Sequence, residues 1–327
     1  MKKKAISLLL VGAMVAAMVA GCGNASSDNN GAAGGDSSAK SESNSSAKSE
    51  GSSDGYTIAA NIWGTGAYPL DIIVHADEKA AAVAGAKVDV ADIKCVGFSS
   101  SAETCVFLDK YNEPLCKVIA WMDTRATKEA EYLTAHFDKK DIINKVGFDG
   151  IYAIHPVSKI LAVKNKNPEI FEKTRMFAQI KDYFIFKLTG TYYTDHSTAS
   201  DHGFFDITNR CYWNEMLEFT GIKEEYLPKL VEPGTELGTI SREAALEFGL
   251  NPETKINVGA FDQGCGAIGA GNTKPGIASE STGSALVTVA TIDALNPDSQ
   301  GDVPTLCSGI PGKYMYQPYC TGSIIMK

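Results

Sequence analysis

The chain has 327 residues, room for about two domains of roughly 150 residues and for a sizeable buried core. Apolar residues at 44% and charged residues at 21% are ordinary globular usage, which excludes a wholly disordered or fibrous chain. The formal charge is −9, and −12 once Lys2, Lys3 and Lys4 at the extreme N-terminus are set aside, which excludes a nucleic-acid partner held by phosphate neutralisation.

Residues 1–22 read as a leader. Three lysines precede the apolar run AISLLLVGAMVAAMVA, whose sixteen residues, interrupted by Ser7 and Gly12, are short for a bilayer span of about 20. The run closes on Val19-Ala20-Gly21-Cys22, which resembles the lipobox of bacterial lipoproteins. That resemblance implies a thiol at Cys22 that is lipidated and becomes the new N-terminus, placing the chain on the outer face of the cell membrane. A plain secretory signal is the alternative. Residues 23–55 contain no apolar side chain larger than alanine, so they cannot bury enough surface to offset their ordering entropy. A disordered Ser/Gly tether is expected there.

Residues 56–94 form a short βαβ-like pattern. A strand is expected over residues 56–61, a Gly/Trp loop over 62–66, a helix over 70–84 with Pro69 at its start, and a second strand over 88–93. The pattern resembles the opening of periplasmic sugar-binding lipoproteins of ABC transporters. By that resemblance Trp63 stacks on a pyranose ring, and the chain has an alternative reading as a lipid-anchored sugar-binding protein. Trp63 covering a core edge is the other account of that residue.

From Cys95 the text changes. A strand, the polar turn Ser99-Ser100-Ser101-Ala102-Glu103-Thr104 and a second strand at 106–109 lead to Trp121-Met122-Asp123-Thr124-Arg125. Further on come Ser158-Lys159-Ile160-Leu161, Lys181-Asp182-Tyr183, Leu188-Thr189-Gly190, Thr194-Asp195 and Phe205-Asp206-Ile207. Then follow Val231-Glu232-Pro233-Gly234 and Gly259-Ala260-Phe261-Asp262-Gln263. Asp262 ends an expected strand at 256–260 and opens a Gly/Ala-rich turn or helix. A carboxylate there can accept a hydroxyl proton during phosphoryl transfer, or can cap the helix. Glu280-Ser281-Thr282-Gly283-Ser284 lies between two β-prone runs. It suits either close approach of backbone N–H groups to phosphate oxygens or a hairpin turn.

In their order and spacing these pieces resemble the FGGY carbohydrate kinases over residues 95–327. The resemblance implies an α/β, actin-like and ribonuclease H-like ATPase fold, incomplete here. Residues 95–255 would be the N-terminal substrate domain and 256–327 the start of the C-terminal domain. It further implies ATP and Mg²⁺ as cofactors and a sugar or polyol as the partner. Asp262 would be the catalytic base, with Glu103, Asp123, Arg125 and Gln263 on the substrate and Gly283 and Ser284 on phosphate. A plain ion pair is the alternative for Asp123 and Arg125. Ala162 stands where the family carries tryptophan. The family's Asp-x-Gly-Thr hairpin and its adenosine motif have no counterpart, so a lipoprotein start joined near residues 93–95 to an internal kinase segment, with impaired turnover, is expected.

Two competing patterns are set aside. Gly264, Gly266 and Gly269 have dinucleotide-loop spacing, but Asn272 to Gly276 cuts any following helix short. His196 and His202 with Asp195 and Asp201 fit no usual zinc spacing and read as solvated turn residues. Apart from Cys22, seven cysteines scattered without a C-x-x-C pair resemble a reduced, cytoplasmic enzyme, in conflict with the leader.

Overall fold

A computed structural model describes residues 56–62, 90–282 and 286–320. All of these fall in the unit Ser52–Lys327, one of the two into which the chain divides. The leader with Cys22, the tether, Trp63, the helix expected over 70–84 and the Gly283-Ser284 turn lie outside the described residues.

The organising strand is Ile93–Ser100. Its period-2 pattern buries Val96, Phe98 and Ser100 on one face and leaves Gly97 and Ser99 on the other. Tyr56–Ile62 runs parallel to it on one side. On the other side Lys255–Asn257 runs parallel and carries Glu236–Thr239 antiparallel beyond it. The second strand expected over 88–93 is not formed as such: residues 90–92 make a 3-10 turn, and Ile93 opens the strand Ile93–Ser100 instead. Helix Ile180–Thr189 belongs to this layer, with Ile180, Tyr183, Ile185 and Leu188 buried in one cluster with Val96, Phe98 and Ile256. The helix begins where the Gln179 N–H donates to the Asp182 carboxylate at 2.8 Å and ends at Gly190.

The strand expected over 256–260 is two pieces, Lys255–Asn257 and Ala260–Phe261, both paired with Ile93–Ser100. Gly259 makes the break. Its φ is +69°, and a Cβ there would lie 1.7 Å from the Phe98 carbonyl oxygen, so the backbone crosses at a distance only glycine allows. Helix Asp262–Gly269 follows at once and leads to a second, antiparallel sheet. That sheet has Ala278–Thr282 and Tyr314–Tyr316 flanking Leu286–Ile292, and Thr305–Cys307 outside. The largest apolar cluster includes Phe107, Leu133, Ile160, Phe204, Trp213 and Phe261 and reaches Val287 and Leu306 of the second sheet. No described helix is long and apolar enough to cross a membrane.

Candidate active site

Asp262 sits where the sheet delivers it. It is the first residue of its helix, and the N-cap position belongs to Phe261, so it does not cap the helix in the way the sequence allowed. Its carboxyl is pushed up to about 6 by burial, against the Gln263 backbone hydrogen bond and the Lys181 charge, which both favour the ionised form. Asp262 and Gln263 together line a cavity of about 340 Å³ with Ser99, Gly266, Ser279, Glu280 and Ser281.

Glu103 belongs to the same electrostatic neighbourhood. Burial pushes its carboxyl up to about 7, and the Asp262 charge adds to that push while Lys159 opposes it. Lys159 is the residue that fastens this region. At 2% exposure, its ammonium donates to the carbonyls of Glu103 and Ala120 at 2.8 Å and of Trp121 at 3.1 Å. Two loops carrying expected substrate residues are thereby tied to one helix, Pro156–Lys166. Burial lowers the Lys159 pKa, while Glu103 and Asp123 pull it back.

Asp123 and Arg125 follow the alternative reading. The guanidinium of Arg125 donates to both Asp123 oxygens, at 2.8 Å and 3.0 Å through Nε, and holds that carboxyl below its usual range. Arg125 is otherwise at the surface, its side chain 81% exposed. The structure therefore brings together Asp262, Gln263 and Glu103, places Asp123 within the reach of Lys159, and leaves Arg125 outside.

The reading of residues 195–202 as a solvated turn is corrected. Asp195, His196, Asp201 and His202 are all buried. Asp195 is drawn inward by an ion pair with the fully buried Lys181, and it caps the short helix His196–Ala199. Asp201 is raised well above the ordinary carboxylate range by burial first, then by the charges of Glu103 and Asp262. It is thus a third carboxyl of the site. Lys159 inside the apolar stretch 156–163 and Lys181 at the head of the largely apolar stretch 180–186 were the available signal that charged partners lay within.

Among the described residues no group of three or more His, Cys, Asp or Glu is arranged to hold a metal ion. The six described cysteine side chains are all free thiols.

Known proteins to which this chain is similar include sugar kinases. A xylulose kinase of Bacillus subtilis is 32% identical over 218 residues, covering 66% of this chain and 43% of that protein. A gluconokinase of the same organism is 28% identical over 238 residues, 72% of this chain and 46% of its own length. The chain thus spans less than half the length of these relatives. In fold it is similar to a kinase described as a xyloylose kinase from Brucella ovis, with TM-score 0.67 and 27% identity over 74% of this chain and 49% of that one. It is also similar in fold to a ligand-bound xylulose kinase from Lactobacillus acidophilus, with TM-score 0.70 and 24% identity over 77% and 51%. The N-terminal domain of the FGGY family matches residues 60–269, a range that takes in most of the stretch read above as similar to sugar-binding proteins. The chain belongs, through that domain, to the FGGY family of carbohydrate kinases.

Proposed function

We propose that the chain serves ATP-dependent phosphorylation of a sugar or polyol hydroxyl, with Asp262 as general base. The observation that carries this reading is the half-buried Asp262 carboxyl at the first turn of its helix, on the wall of a cavity shared with Gln263. The acceptor hydroxyl passes its proton to the Asp262 carboxylate while its oxygen forms a bond to the γ-phosphorus. The bond from phosphorus to the β–γ bridging oxygen breaks, and the nucleoside diphosphate leaves with that electron pair. Asp262 accepts a proton only when ionised, so this step gains strength as pH rises through about 6. Glu103 and Asp123 accept hydrogen bonds from acceptor hydroxyls, Gln263 steadies the sugar, and Gly283 and Ser284 approach the phosphates. A magnesium ion bound to the nucleotide would neutralise charge on its phosphates.

The names of the relatives point to xylulose or gluconate as the acceptor. Phosphorylation of one of these sugars, followed by ADP release, is expected in the parent chain and lost in Asp262→Asn. Sugar phosphorylation that persists unchanged in the variant overturns the assignment of the base.

The leader carries a separate proposal: lipid anchoring through Cys22 on the outer face of the membrane, with residues 23–55 as tether. Its support is the sequence of residues 1–22. Labelling with a fatty-acid probe is expected in cells and lost in Cys22→Ser; equal labelling of the variant contradicts it.

A further inference from the structure

Behind Asp262 runs a buried polar chain that the proposed reaction does not use. Lys181, fully buried at the start of helix Ile180–Thr189, pairs with Asp195 and donates to Thr198 Oγ1 at 2.6 Å. Thr198 Oγ1 donates in turn to Asp195 Oδ2 at 2.7 Å. The other oxygen, Oδ1, accepts the Ser197 N–H at 3.0 Å and the Ser197 hydroxyl. With its proton committed to Asp195, the Ser197 hydroxyl is left as an acceptor, and it takes the backbone N–H of Phe261 at 3.0 Å. Phe261 is the N-cap residue of the helix that Asp262 opens, and an N–H at a helix start has no intrahelical partner. Lys181, Asp195, Thr198 and Ser197, from two separate stretches of sequence, thus form one path that ends on the backbone N–H of Phe261, the residue before Asp262.

We propose that Lys181, Asp195 and Ser197 are positioning residues for Asp262, the ion pair fixing the Ser197 hydroxyl and that hydroxyl fixing the backbone N–H of Phe261, one residue before Asp262. The inference rests on the reading of Asp262 as the base and adds what aims it. A buried pair that only stabilised the fold would need no hydroxyl between itself and Phe261. Two features separate the roles: the path ends on the residue next to Asp262, and the Lys181 charge reaches the Asp262 carboxyl itself.

The test uses the full chain with backbone amide exchange and a ¹³C titration of labelled aspartates, the Asp262 signal being assigned by its loss in Asp262→Asn. In Ser197→Ala, exchange at Phe261 and Asp262 is expected to accelerate by about tenfold, the equivalent of one lost hydrogen bond, while strand Cys105–Leu108 is unchanged. Ser197→Thr, which returns the hydroxyl, restores protection. In the double variant Lys181→Met/Asp195→Asn, which leaves no charge unpaired, the Asp262 midpoint moves upward from about 6. Parent-like exchange at Phe261 in folded Ser197→Ala overturns the proposal, as does an unmoved Asp262 midpoint in the folded double variant. Neither readout needs turnover. A failure here leaves the kinase reading standing, and a chain that phosphorylates no sugar can still show the relay.

Discussion

Lys181 and Lys159 enter the same domain interior and meet different partners. Lys181 faces a carboxylate, Asp195, with two hydroxyls completing the network. Lys159 faces three backbone carbonyls and no bonded acid. The first arrangement moves a whole ion pair out of water, and its attraction offsets a desolvation cost of several kcal/mol per ion. The second dissolves a cation in peptide dipoles, and its lowered pKa registers the incomplete compensation. The difference teaches that one lysine is locked to a single geometry beneath Asp262, whereas the other gathers loops around Glu103 and Asp123.

That contrast can be broken most easily by removing each cation. Lys181→Met leaves Asp195 charged and buried, so urea unfolding is expected to show a loss of about 3–5 kcal/mol. Lys159→Met leaves neutral carbonyls, and the expected loss is about 1–3 kcal/mol, with weakened sugar binding as the loops loosen. Equal losses for the two variants would erase the distinction.

The buried histidines sharpen it from the acid side. Burial lowers His155 and His202 to about 3, far below the unfolded value near 6.5. The unfolded chain therefore binds protons that the folded chain refuses, and their contribution to stability falls as pH drops from about 6.5 toward 3. Among the described residues, neither ring nitrogen of His202 has a hydrogen-bond partner. His202→Leu is accordingly expected to hold stability at pH 7 and to lessen the loss at pH 5, read as the urea midpoint at each pH. A steeper acid loss in the variant would contradict the burial account.

The smallest effect concerns Glu103. Its folded-state value of about 7 lies above the unfolded one near 4.3, so its contribution is present at pH 4 and lost as pH rises through 7. Discounted for partial exposure, Glu103→Gln is expected to add about 1 kcal/mol at pH 8 and nothing at pH 4. A gain at pH 4 as large as that at pH 8 would refute the linkage.

Much of this was legible in the sequence, and the reasons it stopped are physical. Asp262 stands out in the sequence as an acid between an apolar strand and a Gly/Ala-rich stretch, a pattern that equally suits a helix cap, and its reading as the base rests on the resemblance to the kinase family. Glu103 and Gln263 are named through the same resemblance, and what the structure adds is their nearness to Asp262. Asp201 was misread because Thr-Asp-His-Ser-Thr-Ala-Ser-Asp-His carries no apolar periodicity. Its burial is a matter of tertiary contact, which a stretch without periodicity does not announce. The break at Gly259 was likewise hidden, since the backbone it must avoid is Phe98, remote in sequence. For Asp123 and Arg125 the sequence left substrate binding and an ion pair both open; the structure shows the ion pair, with Arg125 at the surface, which only tertiary placement reveals.

The most direct measurement is calorimetric titration of the full chain with xylulose and with gluconate, beside Glu103→Ala and Asp262→Ala. The account predicts that one of the two sugars binds and that each substitution weakens it by about tenfold or more, the loss of a hydrogen bond to a carboxylate. Binding that survives both substitutions undiminished, or no binding of either sugar to the parent chain, would contradict it.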